Sequence, residues 1–148
     1  NTQRGGVILS WTQPKLDWKP VDYYSVADLR RVADNLLYLQ TSATNLLSAT
    51  FEQFGDIDTS AGTLTIPYVS TINWIETRLQ LLWQAIDPEH APTAVQWYAR
   101  TSDSYVRNPN YQDWTRWEQQ SADLRQALIN YTRTSIVWMC NEIQSGEV

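Results

Sequence analysis

The sequence predicts an all-α domain, a three-helix or four-helix bundle with an extended aromatic arm at its N-terminal end. Three stretches carry apolar residues at alternating spacings of three and four, which is the period of one helix face. Helix-start signals accompany these stretches. The first part of the chain shows no such period and contains two Pro residues, which block a helix. We therefore expect an arm over residues 1–24 and a helical domain over residues 25–148, with any strand confined to 7–12 or 56–66.

The arm combines large aromatic side chains with an irregular sequence. Trp11, Trp18, Tyr23 and Tyr24 must pack on something, either this domain or a partner, and they are the predicted interaction residues. In an extended chain the spacing between Trp11 and Trp18 reaches about 20–25 Å, which is enough to cross two packed helices. We expect the arm to dock through its aromatic residues, either on its own helices or on an adjacent subunit.

The first helix has a clear start signal. Ser25 and Asp28 form a capping-box pattern, although Asp stands where Glu or Gln is usual. Apolar residues then follow at helical spacing. This pattern predicts a helix over about 26–52, which can be interrupted near residues 42–44.

The second helix has the most regular apolar pattern in the chain. Pro67 fits its first turn, with Thr65 as the N-cap, and Asp87-Pro88 ends it. The apolar positions are Tyr68, Ile72, Ile75, Leu79, Leu82 and Ile86. Their alternating spacing of four and three forms a heptad seam. Ile75 and Leu79 lie at its centre, so we expect both in the core.

The third helix follows a connecting segment, residues 88–108, which permits a short helix around residues 93–100. Pro109 is predicted to open it. Its apolar face contains Trp114, Trp117, Ser121, Leu124, Leu128, Tyr131, Ser135 and Trp138. The three helices align with one another at offsets of 43 and 42 residues, which is weak evidence for an internal repeat. Glu76 and Glu118 coincide in this alignment, and we interpret both as solvated residues beside the apolar seam.

Composition and charge exclude several classes of function. The net charge is -5, and the 11 Lys and Arg residues are spread along the chain without a basic run. Nucleic-acid binding needs a basic face, so no nucleic-acid partner is expected. No apolar run approaches the ~20 residues that a membrane-spanning helix requires. Cys140 is the only cysteine and lies in an apolar stretch, so we interpret it as a small core residue.

Residue combinations that carry chemistry are scarce. His90 is the only histidine, which excludes His-rich zinc sites and leaves few catalytic triads. The five Gly residues are scattered, so no phosphate-binding loop is formed. Asp56 and Asp58 resemble the start of a calcium loop, but the Gly has the wrong offset and the terminal Glu is missing. We expect no catalytic residue, no metal and no cofactor, although 16 acidic residues leave a paired-carboxylate hydrolase open.

Short motifs in the arm and in all three helices form a recognisable pattern. The first part reads Trp11, Pro14-Lys15, Asp17-Trp18, Asp22-Tyr23-Tyr24, Asp28-Leu29-x-Arg31-Val32 and Asn35-Leu36. Ile66-Pro67-Tyr68 with Ile72-x-x-Ile75-Glu76 follows, then more loosely Tyr111-x-x-Trp114-x-Arg116-Trp117-Glu118. This pattern resembles structural proteins of tailed bacteriophages and of prophages of Gram-positive gut bacteria. Leu16 and Arg30 depart from it, since Thr and Asn are common at these two positions.

The resemblance implies a non-enzymatic helical module of a virion tail, baseplate or fibre, assembled in the host cytoplasm. Its expected partners are other virion subunits, including further copies of the chain. A receptor-binding or host-glycan-binding module with exposed Trp and Tyr is the first alternative, and an accessory domain of a lytic enzyme is the second. Exposed coplanar aromatic residues would favour the glycan-binding module, and a cleft with converging carboxylates would favour the enzyme. Aromatic residues buried between helices or subunits would favour assembly.

Overall fold

A computed structural model of the chain describes residues 2–4, 7–48, 69–93, 95–97 and 109–144. The elements in chain order are β1 (Thr2–Arg4), β2 (Val7–Leu9), α1 (Val26–Leu47), α2 (Val69–Ile86), a 3-10 helix (Pro88–His90) and α3 (Tyr111–Gln144). Each of the three α-helices packs against the other two. The predicted all-α bundle is therefore confirmed, with three long helices in the described part of the chain.

The start of α1 shows the predicted capping box. The Asp28 backbone N–H donates to the Ser25 hydroxyl at 3.3 Å, and the Ser25 N–H donates to the Asp28 carboxylate at 2.8 Å. Asp28 therefore performs the role that Glu or Gln usually takes, and two backbone donors at the helix end gain acceptors. Its negative charge also lies in the first turn, where the helix dipole favours it.

The end of α1 comes earlier than predicted. The helix runs without interruption through residues 42–44, and the hydroxyls of Thr41 and Thr44 donate to the carbonyls of Leu37 and Gln40 within it. It ends at Leu47, since Ser48 has a φ of 52° and adopts the left-handed conformation that terminates helices. The predicted end near residue 52 was wrong by one turn.

The start of α3 uses a different residue from the one predicted. Pro109 does not occupy the first turn, because the helix begins at Tyr111. Asn110 is the N-cap: its side-chain oxygen accepts from the N–H groups of Gln112 at 3.0 Å and Asp113 at 3.2 Å. The Asp113 carboxylate accepts from the Asn110 N–H at 2.9 Å. An Asn–Asp pair thus forms the same reciprocal cap as the Ser–Asp pair of α1.

The N-terminal hairpin is only partly as predicted. β2 lies inside the predicted range of 7–12, but β1 lies outside both predicted ranges. A strand needs a partner for its backbone groups, and β1 supplies it in antiparallel register, with Thr2 opposite Leu9. Residue 93 and residues 95–97 are not helical, which contradicts the predicted short helix there.

Several predictions fall outside the described residues. They concern Asp56, Asp58, Thr65, Pro67, Tyr68 and the side chains of Ser135, Trp138 and Cys140. None of the helices in the described part of the chain combines the length and the apolar character that a bilayer crossing requires.

The predicted apolar seams meet in one core. Its buried members are Trp18, Leu29, Val32, Ala33, Leu36, Leu39, Ala43, Ile72, Ile75, Leu79, Leu82, Trp83, Trp97, Trp114, Trp117, Leu124 and Leu128. Ile75 is 0% and Leu79 is 2% exposed, so the predicted placement of both residues is confirmed. Tyr131 is 48% exposed, so the α3 seam leaves the core there.

Leu79→Ala should lower the free energy of unfolding by about 2–5 kcal/mol, because it removes buried methyl groups and leaves a cavity between three packed helices. Urea denaturation followed by circular dichroism measures the change. Leu81→Ala is the matched control, since Leu81 lies on the same helix and is 36% exposed. A loss below about 0.5 kcal/mol for Leu79→Ala would contradict the packing of this seam.

Candidate functional site: the docked arm

The arm packs along α1 and α3 of its own domain. Trp18 is 6% exposed, and its ring lies 5.4 Å from the ring of Trp114 on α3. Tyr24 stacks on the same Trp114 ring at 5.0 Å. The Lys15 ammonium covers the Trp18 ring at 4.2 Å. Aromatic contacts of this kind add to the stabilisation from buried area, so the described arm belongs to the core of the domain.

Asn35 on α1 binds the backbone of the arm. Its side-chain oxygen accepts from the Thr12 N–H at 3.0 Å, and its amide nitrogen donates to the Thr12 carbonyl at 2.8 Å. Asn35 is 1% exposed. A buried primary amide is costly unless its oxygen and its NH2 group find partners. The Thr12 backbone supplies one partner to each, and the pair of bonds fixes where the arm crosses α1.

Glu118 on α3 is the main polar contact of the arm. Its carboxylate accepts from the Trp18 indole N–H and from the Lys15 backbone N–H, the latter at 3.1 Å. Arg31 on α1 donates to both oxygens of the same carboxylate, from Nε at 2.5 Å and from a terminal nitrogen at 3.1 Å. Glu118 is 1% exposed. One buried carboxylate therefore joins the arm, α1 and α3.

The electrostatics of this cluster favour a permanent ion pair. Burial alone would lower the pKa of Arg31, but the hydrogen bonds and charges of Glu118 and Asp28 together outweigh it and raise the pKa of the guanidinium. Asp28 adds a second carboxylate at 2.9 Å from Arg31. The Asp28 side chain thus both caps α1 and orients the arginine that holds Glu118.

A second cluster of the same composition lies between α2 and α3. Glu76 on α2 accepts from both terminal nitrogens of Arg116, at 3.0 and 2.5 Å. It also accepts from the indole N–H groups of Trp117 at 2.6 Å and Trp97 at 3.4 Å. Burial alone would lower the pKa of Arg116, but the hydrogen bonds and charges of Glu76 and Asp113 together raise it. Trp97 corresponds to Trp18 of the arm, since each lies on a non-helical segment preceding the helix that carries the arginine.

An asparagine accompanies this second cluster too. Asn73 accepts from the Trp97 N–H at 2.9 Å and donates to the Trp97 carbonyl at 2.7 Å. Two non-helical segments are thus held in the same way, each by one asparagine against the backbone and one buried glutamate against a tryptophan. The glutamates coincide in the alignment of the helices at an offset of 42 residues, as do Arg31 and Arg116 at 85.

The interpretation of Glu76 and Glu118 as solvated residues was wrong. They are 6% and 1% exposed. Helical spacing placed them beside the seam, but it did not reveal that two non-helical segments would cover that side of the helices. The available signal was an arginine on each facing helix, Arg31 for Glu118 and Arg116 for Glu76, together with the excess of Trp donors.

The structure places the four predicted interaction residues in different environments. Trp18 is buried, and Tyr24 is half-buried with its pKa raised by burial. Trp11 is half-buried, with Tyr38 at 6.0 Å and the Arg125 guanidinium at 5.0 Å from its ring. Tyr23 is 95% exposed. The first three pack on this domain, and only Tyr23 is directed to solvent.

A turn at residues 19–22 ends the docked part of the arm. The Asp22 N–H donates to the Lys19 carbonyl at 3.0 Å. The Asp22 carboxylate accepts from the Lys19 N–H at 2.9 Å and from the Lys15 ammonium at 3.2 Å. Pro20 occupies the second position of the turn, which its fixed φ favours. Val21 lies within this turn and is 76% exposed.

Asp22 should titrate below its ordinary pKa of 3.8, chiefly because the Lys19 N–H donates to the ionised form and secondarily because Lys15 is near. A lowered pKa in the folded state contributes stability above the unfolded pKa, and this is lost as pH falls through the folded value. Carboxyl-detected NMR titration measures the pKa. Lys15→Met should raise the pKa of Asp22 only part of the way toward 3.8, since the Lys19 backbone donor remains. A pKa at or above 3.8 in the intact protein would contradict the turn.

His90 does not join any of these clusters. It lies in the 3-10 helix with a 75% exposed side chain, and its Nδ1 is 2.9 Å from the Asp87 carboxylate. The hydrogen bond and charge of Asp87 raise the pKa of His90. Among the described residues no group of three His, Cys, Asp or Glu side chains is arranged to hold a metal ion.

Comparison with known proteins adds no relative. No protein-family model, no curated protein and no solved structure matches the chain.

Proposed function

We propose that the chain is a non-enzymatic structural module of a tailed-phage virion, in its tail, baseplate or fibre. One observation carries the proposal: the motif residues that resemble virion proteins are the residues that hold this fold together. Trp18 is a core residue, Asp28 caps α1, and Asn35 binds the arm backbone. A catalytic motif would place reactive groups in a cleft, whereas the residues of this motif are used for folding. We take this use to favour a structural module of an assembly.

The outer side of the arm supplies the contact with a neighbouring subunit. Leu16 is 42%, Val21 is 76% and Tyr23 is 95% exposed, and all three lie within eight residues of one another. Exposed aromatic and aliphatic side chains on a braced turn lose little conformational freedom on binding, which favours them as interface residues. The expected partners are other virion subunits, further copies of this chain among them.

The two alternatives receive less support from the described residues. A glycan-binding module would need exposed Trp, and the seven Trp residues with described side chains are buried or half-buried. A lytic enzyme would need carboxylates that converge on a cleft. The two buried glutamates each face an arginine and Trp donors, an arrangement that fits packing.

Mass spectrometry of purified particles tests the proposal. Particles from an induced lysogen are separated on a density gradient, and the chain is quantified against the major tail protein. We expect a fixed number of copies per particle. Its absence from infectious particles would reject a virion role. A glycan array with the isolated chain tests the first alternative in the same preparation.

A variant separates the subunit contact from folding. Tyr23→Ser in the phage should lower the copy number of the chain in particles without changing the thermal unfolding of the isolated domain. Tyr131→Ser is the matched control, because Tyr131 is 48% exposed on α3 and lies outside the arm. Equal incorporation of the two variants would contradict the role of the arm surface.

A further inference from the structure

A small open cavity lies between α1 and α3, beside the arm. Its volume is about 110 Å³. From α1 it is lined by Tyr38, Ser42 and Leu46, and from α3 by Arg125 and Leu128 among others. Leu128 is 4% exposed and forms an apolar floor, whereas Leu46 is 44% exposed at the mouth. The cavity therefore combines an apolar interior with a polar side and an opening to solvent.

Arg125 is the charged group of this cavity. Arg31 and Arg116 each bind a buried carboxylate, whereas Arg125 has no carboxylate within ion-pair distance among the described residues. Its guanidinium instead covers the Trp11 ring at 5.0 Å. This contact orients the planar group. Tyr38 and Ser42, whose side chains carry hydroxyl groups, line the same cavity.

We propose that this cavity binds a small monocarboxylate with a compact apolar group. Arg125 would take the carboxylate, since a guanidinium pairs with a carboxylate through two parallel hydrogen bonds. Leu128 and Leu46 would contact the apolar group. The volume is close to that of a cavity of roughly 150 Å³ that accepts benzene. It accommodates one branched aliphatic group, and we assign the ligand as a free acid; a peptide C-terminus, whose further units would leave through the open mouth, is the alternative that the experiment below distinguishes. This inference does not depend on the proposed virion role.

NMR titration of the full chain with 4-methylpentanoate tests the proposal. We expect saturable shifts of backbone amide signals from Ser42 and from residues around Arg125, and of the indole N–H signal of Trp11. The neutral analogue 4-methylpentanamide should bind roughly tenfold more weakly or worse, because it lacks the charge that Arg125 recognises. Equal binding of acid and amide, shifts confined to other surfaces, or no saturable shift at millimolar acid would each overturn the proposal.

Two charge-matched variants locate the site. Arg125→Gln should weaken binding of the acid roughly tenfold or more, whereas Arg133→Gln should leave it unchanged. Arg133 lies on the same helix, is exposed, and does not line the cavity. If Arg125→Gln unfolds the domain, the comparison of acid with amide on the unaltered chain still tests whether the site recognises a carboxylate. Tighter binding of an acetylated peptide ending in leucine than of the free acid would overturn the assignment of the ligand as a free acid.

Discussion

Replacing Glu118 by alanine is expected to lower the free energy of unfolding by about 3–5 kcal/mol. The carboxylate is 1% exposed and accepts hydrogen bonds from Arg31, from the Trp18 indole and from the Lys15 backbone. Its removal leaves the Arg31 charge partly buried beside Asp28 alone, and two further donors without an acceptor. Each buried donor that loses its partner retains its cost of desolvation.

The comparison with two other substitutions makes this test specific. Glu118→Gln preserves the shape and can still accept from Trp18, but it loses the charge that pairs with Arg31, so an intermediate loss is expected. Asp123→Asn on the same helix changes an exposed carboxylate whose hydrogen-bond donor among the described residues is Gln119, at 3.0 Å, so its effect should stay within about 0.5 kcal/mol. Urea denaturation near neutral pH measures the free energy of unfolding of all three variants. A Glu118→Ala loss no larger than that of Asp123→Asn would mean that the carboxylate does not hold the arm.

The helices could be predicted from sequence because their signals are local. The reciprocal cap of Ser25 and Asp28 depends on residues three apart, and the seam around Leu79 depends on a spacing of three and four. Both were confirmed. The end of α1 was misplaced because Ser48 takes the left-handed conformation. Gly or Asn at this position would have indicated a helix end, whereas Ser does not.

The polar clusters could not be predicted because their partners are distant in sequence. Glu118 meets Trp18 across 100 positions and Arg31 across 87. Periodicity indicates which residues of a helix face the core, but not which non-helical segment covers the flank of the seam. The sequence does show that Glu76 and Glu118 coincide in the aligned helices. It does not show that the arm and the segment containing Trp97 cover these two residues.

The buried glutamates also bear on specificity. An apolar groove would accept the arm in several registers, whereas Glu118 requires an indole N–H and a backbone N–H at fixed positions. Asn35 adds a second fixed point at Thr12. A polar contact that is satisfied in only one register favours that register over its neighbours. The arm is therefore held in a defined position, which leaves Val21 and Tyr23 at defined positions on the surface.

Removal of residues 1–20 should destabilise the isolated domain by an amount comparable to the loss of a buried tryptophan, about 3–5 kcal/mol. The truncation removes Trp18 from its contact with Trp114 and leaves Asn35 and Glu118 without their arm partners. We expect a lower urea midpoint that does not depend on protein concentration, because the arm packs on its own chain. Equal stability of the truncated and full-length chains would contradict docking on this domain.

Two further measurements separate a lost contact from a general failure to fold. A synthetic peptide of residues 1–20 added to the truncated domain should raise its urea midpoint in a saturable manner, since the groove that contains Asn35 and Glu118 is carried entirely by α1 and α3. The same peptide with Trp18→Ala is the matched control and should have little effect. If the arm instead served only to bind a neighbouring subunit, the truncated monomer would keep its stability and fail in assembly alone. The buried Trp18 and the two oxygens of Glu118 argue for the first outcome, because a groove lined by an unpartnered amide and a partly paired carboxylate is costly to leave uncovered.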